Sequence, residues 1–399
     1  MAYYAWHQAR YTILYSFAGG NDGSQPIGPM VPGGDGSFYG TACNGGKNHV
    51  GVVFRITTNG VFTCLYSFAG GDDQAGPMNI VQAKDGNFYG TTSQGGGVYR
   101  IVTNGAFTMV HSFTGKADGL LGAFPERLLL SKEGGLYGVS SRAVYEVTTN
   151  GTFKVIHTFR GGDEGTEPEG LLAAKDGNLY GCTSSHDVND SWTIFRIDTN
   201  NTFATLHKFQ QKSVDAYLTQ DRNGDIYGVT WTDFPAENPG NIFKIGANGI
   251  FTNLHAFRGG SDGACPVELV HANDGNIYGT TSFGGQNNAG TIFRTTCNGT
   301  FVTLHSFRKE NDGVYPNDLL QCDDGNLYGT TSRGGRHDCG TLFKLTTNGT
   351  FSVLHSFGGD GDGTQPGGLV KGGDGNLYGI TVCGGANRHG TIFRVAIWH

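Results

Sequence analysis

The side chains best suited to chemistry recur at two counted positions. Ten residues before a tyrosine that returns eight times along the chain stand Pro29, Asn79, Arg127, Gly170, Tyr217, Glu268, Asp318 and Gly368, each followed by a large aliphatic residue. Five residues after the same tyrosine stand Asn44, Gln94, Arg142, Ser185, Thr232, Phe283, Arg333 and Cys383. In the first series Arg127 and Tyr217, and in the second Arg142, are donors able to polarise a carbonyl by hydrogen bonding. The carboxylates Glu126, Glu169, Glu268 and Asp318 are of the type used in pairs for glycoside hydrolysis or elimination. Trp192, Trp231, Phe234 and Phe283 offer apolar walls beside them, with Asn79 and His186 as further polar contacts. There is no Gly-x-Ser-x-Gly nucleophile elbow, no HExxH, no phosphate loop and no dinucleotide fingerprint. His49, His186, His337 and His389 lack the local spacing of a ligand set, so neither a metal nor a cofactor is expected.

These residues belong to a repeat. "DGNLYG" and its relatives place the tyrosine at Tyr39, Tyr89, Tyr137, Tyr180, Tyr227, Tyr278, Tyr328 and Tyr378, at spacings of 43 to 51 residues. That period suits propeller blades. Each unit carries four short β-type stretches, as in "GGLVKGG", "NLYGIT", "GTIFRV" and "TFSVLHSF". Asp-Gly at Asp85, Asp176, Asp274, Asp324 and Asp374 joins the first two strands, and Asn-Gly at Asn59, Asn104, Asn150, Asn248, Asn298 and Asn348 joins the last two. Blade four has Asn200-Asn201 instead. These pairs predict two-residue hairpins with positive φ at both positions. The chain opens on a fourth-strand sequence, 11–17, and closes on a third-strand sequence within 366–396, which predicts that the two ends share one blade and leave no open sheet edge. The expected fold is all-β: one eight-bladed propeller domain over 1–399, four antiparallel strands per blade.

With two of the four connections tight, length and variety go to the loop leading into each blade and to the loop between its second and third strands. Both should emerge on one face, around the channel mouth. That face is lopsided, because "QGGGVY" and "SRAVY" are short while "SSHDVNDSW" and "VTWTDFPAENPG" are long and irregular. By contrast, the features repeated in every blade read as structural. They include His111, His157, His207, His255, His305 and His355, with Tyr15 and Tyr66 in the same place, each expected to bond within its own blade. The third-strand Arg55, Arg100, Arg196, Arg294 and Arg394 read as inter-blade contacts. The Asp-Gly-x-x-Pro acids Asp22, Asp262, Asp312 and Asp362, with the related Asp73, Asp118 and Glu164, read as Asx-type turns; calcium is the sharper alternative, without the oxygen density of a calcium loop.

Composition agrees: 68 glycines and 26 phenylalanines with only 15% charged residues favour short strands and tight turns. A net charge of −7 argues against a nucleic-acid partner. No signal-type segment or membrane-length apolar run is present, so a cytoplasmic location and no membrane span are expected. The eight cysteines form no framework; most should be reduced fillers, with Cys43 and Cys383 near one another.

The stretches "DGNLYGTTS", "GTLFKLTTNGTFSVLHSF" and their kin resemble the Gloeo/Verruco-type tandem-repeat family, the GloVer repeats, over nearly the whole chain. The resemblance implies a propeller, usually on exported and anchored bacterial proteins. In size and in lack of an export signal the chain is also similar to fungal hetero-Diels–Alderases of tropolone meroterpenoid pathways. Three functions suit such a face: a glycan-binding or carbohydrate-active propeller, a protein-interaction platform, or an enzyme that templates cyclisation of a small apolar organic substrate by shape and hydrogen bonding. The uneven rim favours the enzyme, with Arg127, Tyr217 and Arg142 as its donors.

Overall fold

The computed structural model describes residues 10–113, 128–184, 191–209, 214–231 and 239–397, with side chains from 217 onward in the fourth stretch. Runs of five to nine residues rich in Val, Ile, Thr, Tyr and Phe, punctuated by Gly, Asn and Asp, form most of the strands, from β1 (Arg10–Ser16) to β32 (Thr391–Ala396). They assemble into eight four-stranded antiparallel sheets, the blades of a propeller. The innermost strands are β2 (Ser24–Pro32), β6 (Ala75–Gln82), β10 (Leu129–Leu130), β14 (Glu167–Ala173), β18 (Val214–Gln220), β22 (Ala264–His271), β26 (Val314–Gln321) and β30 (Thr364–Lys371). Each packs on the next, and β30 returns to β2, so the ring closes. In blade eight the order is β1-β32-β31-β30, where β31 is Leu377–Cys383, and Tyr11 lies opposite Val395. The N-terminal strand supplies that blade's outer edge as its sequence predicts.

The core lies between blades rather than within them. Phe17, Met30, Phe38, Phe54 and Ile56 cluster with Tyr378, Ile380 and Ile392 across the junction of blades one and eight, all of them buried. At roughly 2–3 kcal/mol for each large side chain taken out of water, such junctions hold the ring together.

The hairpins differ from expectation in one respect. Gly60 N–H donates to Thr57 O (2.9 Å) and Thr57 N–H to Val61 O (3.1 Å), and only Gly60, not Asn59, has positive φ, at 89°. This is a type I turn completed by a glycine bulge, not a two-residue primed turn. The Asp-Gly turns match it: Gly86 N–H donates to Ala83 O (3.0 Å), and Gly86 has φ 81°. Asp and Asn therefore act through their side chains. Asp85 accepts from Asn87 N–H (3.0 Å) and from the Tyr89 hydroxyl (2.9 Å), which explains why Asp and Tyr are repeated together. In blade four Asn201 takes the glycine's place at φ 63°.

Each outer strand carries a β-bulge one residue before its His or Tyr, as at Leu14, Leu65 and Leu354. The bulged carbonyl meets the next blade's Asn-Gly turn; a Cβ on Gly105 would sit 2.7 Å from Leu65 O.

The repeated His or Tyr that follows the bulge links blades, which corrects the expectation that it bonds only its own. His305 stacks on Phe351 of the next blade at 3.6 Å between ring centroids, while Nε2 lies 3.1 Å from Asp312 in the loop leading into that blade. Tyr15 makes the same pair of contacts with Phe62 (4.0 Å) and Asp22 (2.8 Å). Such stacks run right round the perimeter, and His355 on Tyr11 of the N-terminal strand (3.9 Å) closes the circle.

Candidate functional site

The lead-in loop and the loop between second and third strands do share a face, because they bond to each other. Gly46 N–H donates to Gly20 O (2.8 Å), and Gly285, Gly335 and Gly385 repeat the contact with Gly260, Lys309 and Gly359. In blades two and three the second loop shrinks to Gly95-Gly96 and Ser141-Arg142, so the face is low there and higher over blades one, six, seven and eight.

The repeated acids of the lead-in loops are occupied as fasteners. Asp22 accepts from Ala18 N–H (2.7 Å) and the Tyr15 hydroxyl, and Asp362 from Gly358 N–H (2.7 Å) with His355 Nε2 at 2.6 Å. Burial pulls the His255 and His305 imidazoles below their ordinary range even though Asp262 and Asp312 oppose it. These histidines are neutral at neutral pH, with Nε2 already engaged, and serve the scaffold. Arg55 likewise bonds Asp35 of its own blade (2.7 Å), whereas Arg394 reaches Thr58 O of the next (3.4 Å).

Of the predicted site residues, Arg127, His186 and Phe234 lie outside the described residues, as do Glu126 and Asp118. Glu268 and Asp318 occupy matching places on β22 and β26. Each reaches forward to the adjacent inner strand: Glu268 Oε2 accepts from Leu319 N–H (2.9 Å) and Asp318 Oδ2 from Leu369 N–H (2.6 Å). Asn79, at the same place on β6, leans back on blade one, and a Cβ at Gly28 would overlap its Oδ1. In blades eight and one that place is tight backbone, since a Cβ on Gly368 would sit 2.5 Å from Gly28 O. The channel rim is thus part clasp and part surface. Glu169 accepts from the Ser184 hydroxyl (2.8 Å) within blade four.

Tyr217 remains exposed on β18, at 46%. Arg142 is exposed at the tip of its short hairpin, on blade three, where its carbonyl accepts from Phe159 N–H (2.8 Å). Trp192 is buried: it opens the third strand of blade four opposite Phe209. Trp231, partly buried, ends the second strand of blade five opposite Val214. Phe283 ends the matching strand of blade six and meets Tyr315 of blade seven edge-on, 5.3 Å between centroids.

Tyr315 is absent from both counted series. It sits in the lead-in sequence "DGVYP", just before a proline, with φ 56°. Gln25, Cys265 and Gln365 hold the same φ in their blades, so the conformation belongs to the repeat and only the side chain is special. An aromatic where blades one, six and eight carry Gln or Cys was the available signal. Tyr217 and Tyr315 are the exposed aromatic residues among those described; the exposed large aliphatic side chains are Ile13, Val61, Ile250, Val302 and Val353.

All eight cysteines are free thiols, so no bridge joins Cys43 to Cys383. Burial, with a smaller contribution from Cys383, raises the Cys43 thiol above its ordinary range. Among the described residues no group of three His, Cys, Asp or Glu is placed to hold a metal ion, and no helix is long and apolar enough to cross a membrane.

Fold and loop face together define an eight-bladed β-propeller whose varied loops gather at one mouth of its axis. The chain belongs to the Gloeobacter/Verrucomicrobia repeat family, matched over residues 3–143, 34–236, 141–270 and 215–398. No curated protein matches it. Among solved structures it is similar to oligogalacturonate lyase from Vibrio parahaemolyticus, with 10% identity over 94% of this chain and 99% of that one and a TM-score of 0.56. Virginiamycin B lyase from Staphylococcus aureus shares 15% identity over 81% and 95%, with a TM-score of 0.53. A putative 6-phosphogluconolactonase from Bacteroides uniformis shares 16% over 80% and 95%, also at 0.53. At these identities the likeness is one of fold.

Proposed function

We propose that this propeller is an enzyme acting on a small organic molecule held on the loop face over blades five to seven, by shape and hydrogen bonding. The reaction we favour is cyclisation or hetero-Diels–Alder cycloaddition of an apolar substrate. One observation carries this reading: among the described residues the exposed aromatic side chains, Tyr217 and Tyr315, both stand on inner strands of that sector, with Phe283 edge-on to Tyr315. Aromatic planes at fixed angles hold a conjugated chain in one reactive conformer, and a phenol hydroxyl is a donor for a carbonyl whose charge grows in the transition state. Arg142 stands on the low blade-three side.

The test is a fluorescence-monitored screen of conjugated carbonyl compounds, with mass spectrometry of each binder after incubation. A product of the same mass as its precursor, or of two reactants summed, supports cyclisation or cycloaddition. Tyr217→Ala and Tyr315→Ala should each weaken binding at least tenfold with the fold intact. Unchanged binding in both variants would remove the site from this sector.

A carbohydrate-active lyase or hydrolase is the second reading. It is favoured by the carboxylates of Glu268 and Asp318 on adjacent inner strands, and the fold of oligogalacturonate lyase accords with it. Binding of acidic oligosaccharides, with unsaturated or hydrolysed products, would select it instead.

A further inference from the structure

A cavity lies away from the axis, on the outer side of blade seven. It encloses about 460 Å³ and is lined by Asn311, Arg336, His337 and the bulged outer strand from Val353 to Ser356. The internal repeat shows why a space exists there. In blades one, six, seven and eight the loop between second and third strands bends down onto the outer strand and is pinned by that strand's serine. Lys47, Gln286, Arg336 and Ala386 N–H donate to Ser67, Ser306, Ser356 and Ser16 Oγ at 2.7–3.1 Å. The next residue provides a second fastener in blades one and six: Asn48 Nδ2 donates to Ala69 O (3.0 Å) and Asn287 Nδ2 to Phe307 O (3.1 Å). Blade eight also has an asparagine here, Asn387. Blade seven alone of these four has histidine, His337, and precedes it with arginine.

An asparagine clasp has thus been exchanged for an exposed imidazole beside an arginine whose backbone N–H is pinned by Ser356. Lys309, whose carbonyl accepts from Gly335 N–H (2.7 Å), belongs to the same rim and lies 3.8 Å from Asp338. Among the lining residues no carboxylate is present, whereas the matching cavity of blade two is lined by Asp72, with Gln74, His111 and Ser112. The same architectural slot therefore has opposite polarity in two blades of one molecule, within a chain whose net charge is −7. Arginine presents a planar fork that matches an oxyanion in two bonds, and the exposed Asn311 adds amide donors.

We propose that the blade-seven cavity is a binding site for a small oxyanion, a carboxylate or phosphate group carried by a compact polar molecule, separate from the axial mouth. Arg336 supplies the fork, with His337 and Asn311 as further donors.

The experiment is isothermal titration of the full chain with glucuronate and, separately, with inorganic phosphate. It is repeated on Arg336→Ala and on Lys47→Ala, the same loop position in blade one. Saturable binding that weakens at least tenfold in Arg336→Ala and less than twofold in Lys47→Ala supports the site, and whichever anion binds names the source. Equal weakening in both variants would mean diffuse attraction and overturn it. Retained affinity in Arg336→Ala, or no saturable binding of either anion up to about 20 mM, where Kd alone corresponds to roughly 2 kcal/mol, overturns it as well. Thermal melting of each variant confirms that the comparison is made on folded protein.

Discussion

Replacing His305 by alanine and by tyrosine separates the perimeter clasp from simple bulk. The alanine variant loses the stack on Phe351 at 3.6 Å, the edge contact with Phe307 at 5.1 Å and the bond to Asp312 at 3.1 Å. An aromatic pair contributes about 0.5–1.5 kcal/mol and a hydrogen bond to a carboxylate about 1.5–3 kcal/mol, so the expected loss is about 3 kcal/mol. At about 2.1 cal/mol/K per residue the chain's unfolding entropy is about 0.8 kcal/mol/K, which turns that loss into a Tm lowered by about 4 °C. Tyrosine should cost under about 1 kcal/mol, or about 1 °C, because Tyr15 and Tyr66 already make both contacts from the same place. The assay is scanning calorimetry at pH 7.5 and 5.5. Burial sets the folded-state His305 pKa below its unfolded value near 6.5, so its stabilisation is complete above pH 6.5 and is lost as pH falls through the lower folded value. His305→Tyr should therefore lose less stability than the parent between the two pH values. If tyrosine destabilises as much as alanine, or the pH response is unchanged, the clasp is not what holds this junction.

Gly105→Ala should destabilise more than Gly249→Ala by about 1 kcal/mol or more, since both glycines have positive φ but only at Gly105 would a Cβ meet a carbonyl, at 2.7 Å. Urea midpoints read the difference, and Gly249→Asn should be close to neutral because Asn201 holds that turn position in blade four. Asp318→Ala should cost about 1.5–3 kcal/mol by leaving Leu369 N–H without its acceptor, and hydrogen exchange at that amide should quicken. Burial raises the turn carboxylates Asp274, Asp324 and Asp374, but bonds from Asn and Tyr more than offset it and hold them below the usual range. Their stabilisation is present above about pH 4 and is lost as pH falls further; Asp274→Asn should flatten that acid limb in a pH series of urea melts.

The fold was legible because the repeat supplies its own alignment: eight tyrosines fixed the blade count, and the fourth-strand sequence at Tyr11–Phe17 revealed the closure. Turn type was less so. Asn-Gly suits both a primed turn and a type I turn with a glycine bulge, and here Asn59 keeps negative φ while Gly60, packed against Leu14 O of the preceding outer strand, takes 89°. On the inner strands, counting from the tyrosine placed Tyr217, Glu268 and Asp318 in matching positions but could not show that two of them clamp the neighbouring blade. Trp192 reads as loop because "NDSW" is polar, yet it opens a strand opposite Phe209 and is buried. Tyr315 escaped because its position varies outside the counted series, in a turn whose backbone the repeat had already explained.

The sharing of blade eight between β1 and β32 also sets a schedule. β1 is made about 375 residues before its partner β32, so at 5–20 residues per second it waits for about 20–75 s without that partner. Seven blades can form during that interval while Tyr11 lacks Val395 opposite it and Phe17 lacks Ile392. The pairing of β1 with β32 is therefore a distinct late event, the step that converts an open row of blades into a ring.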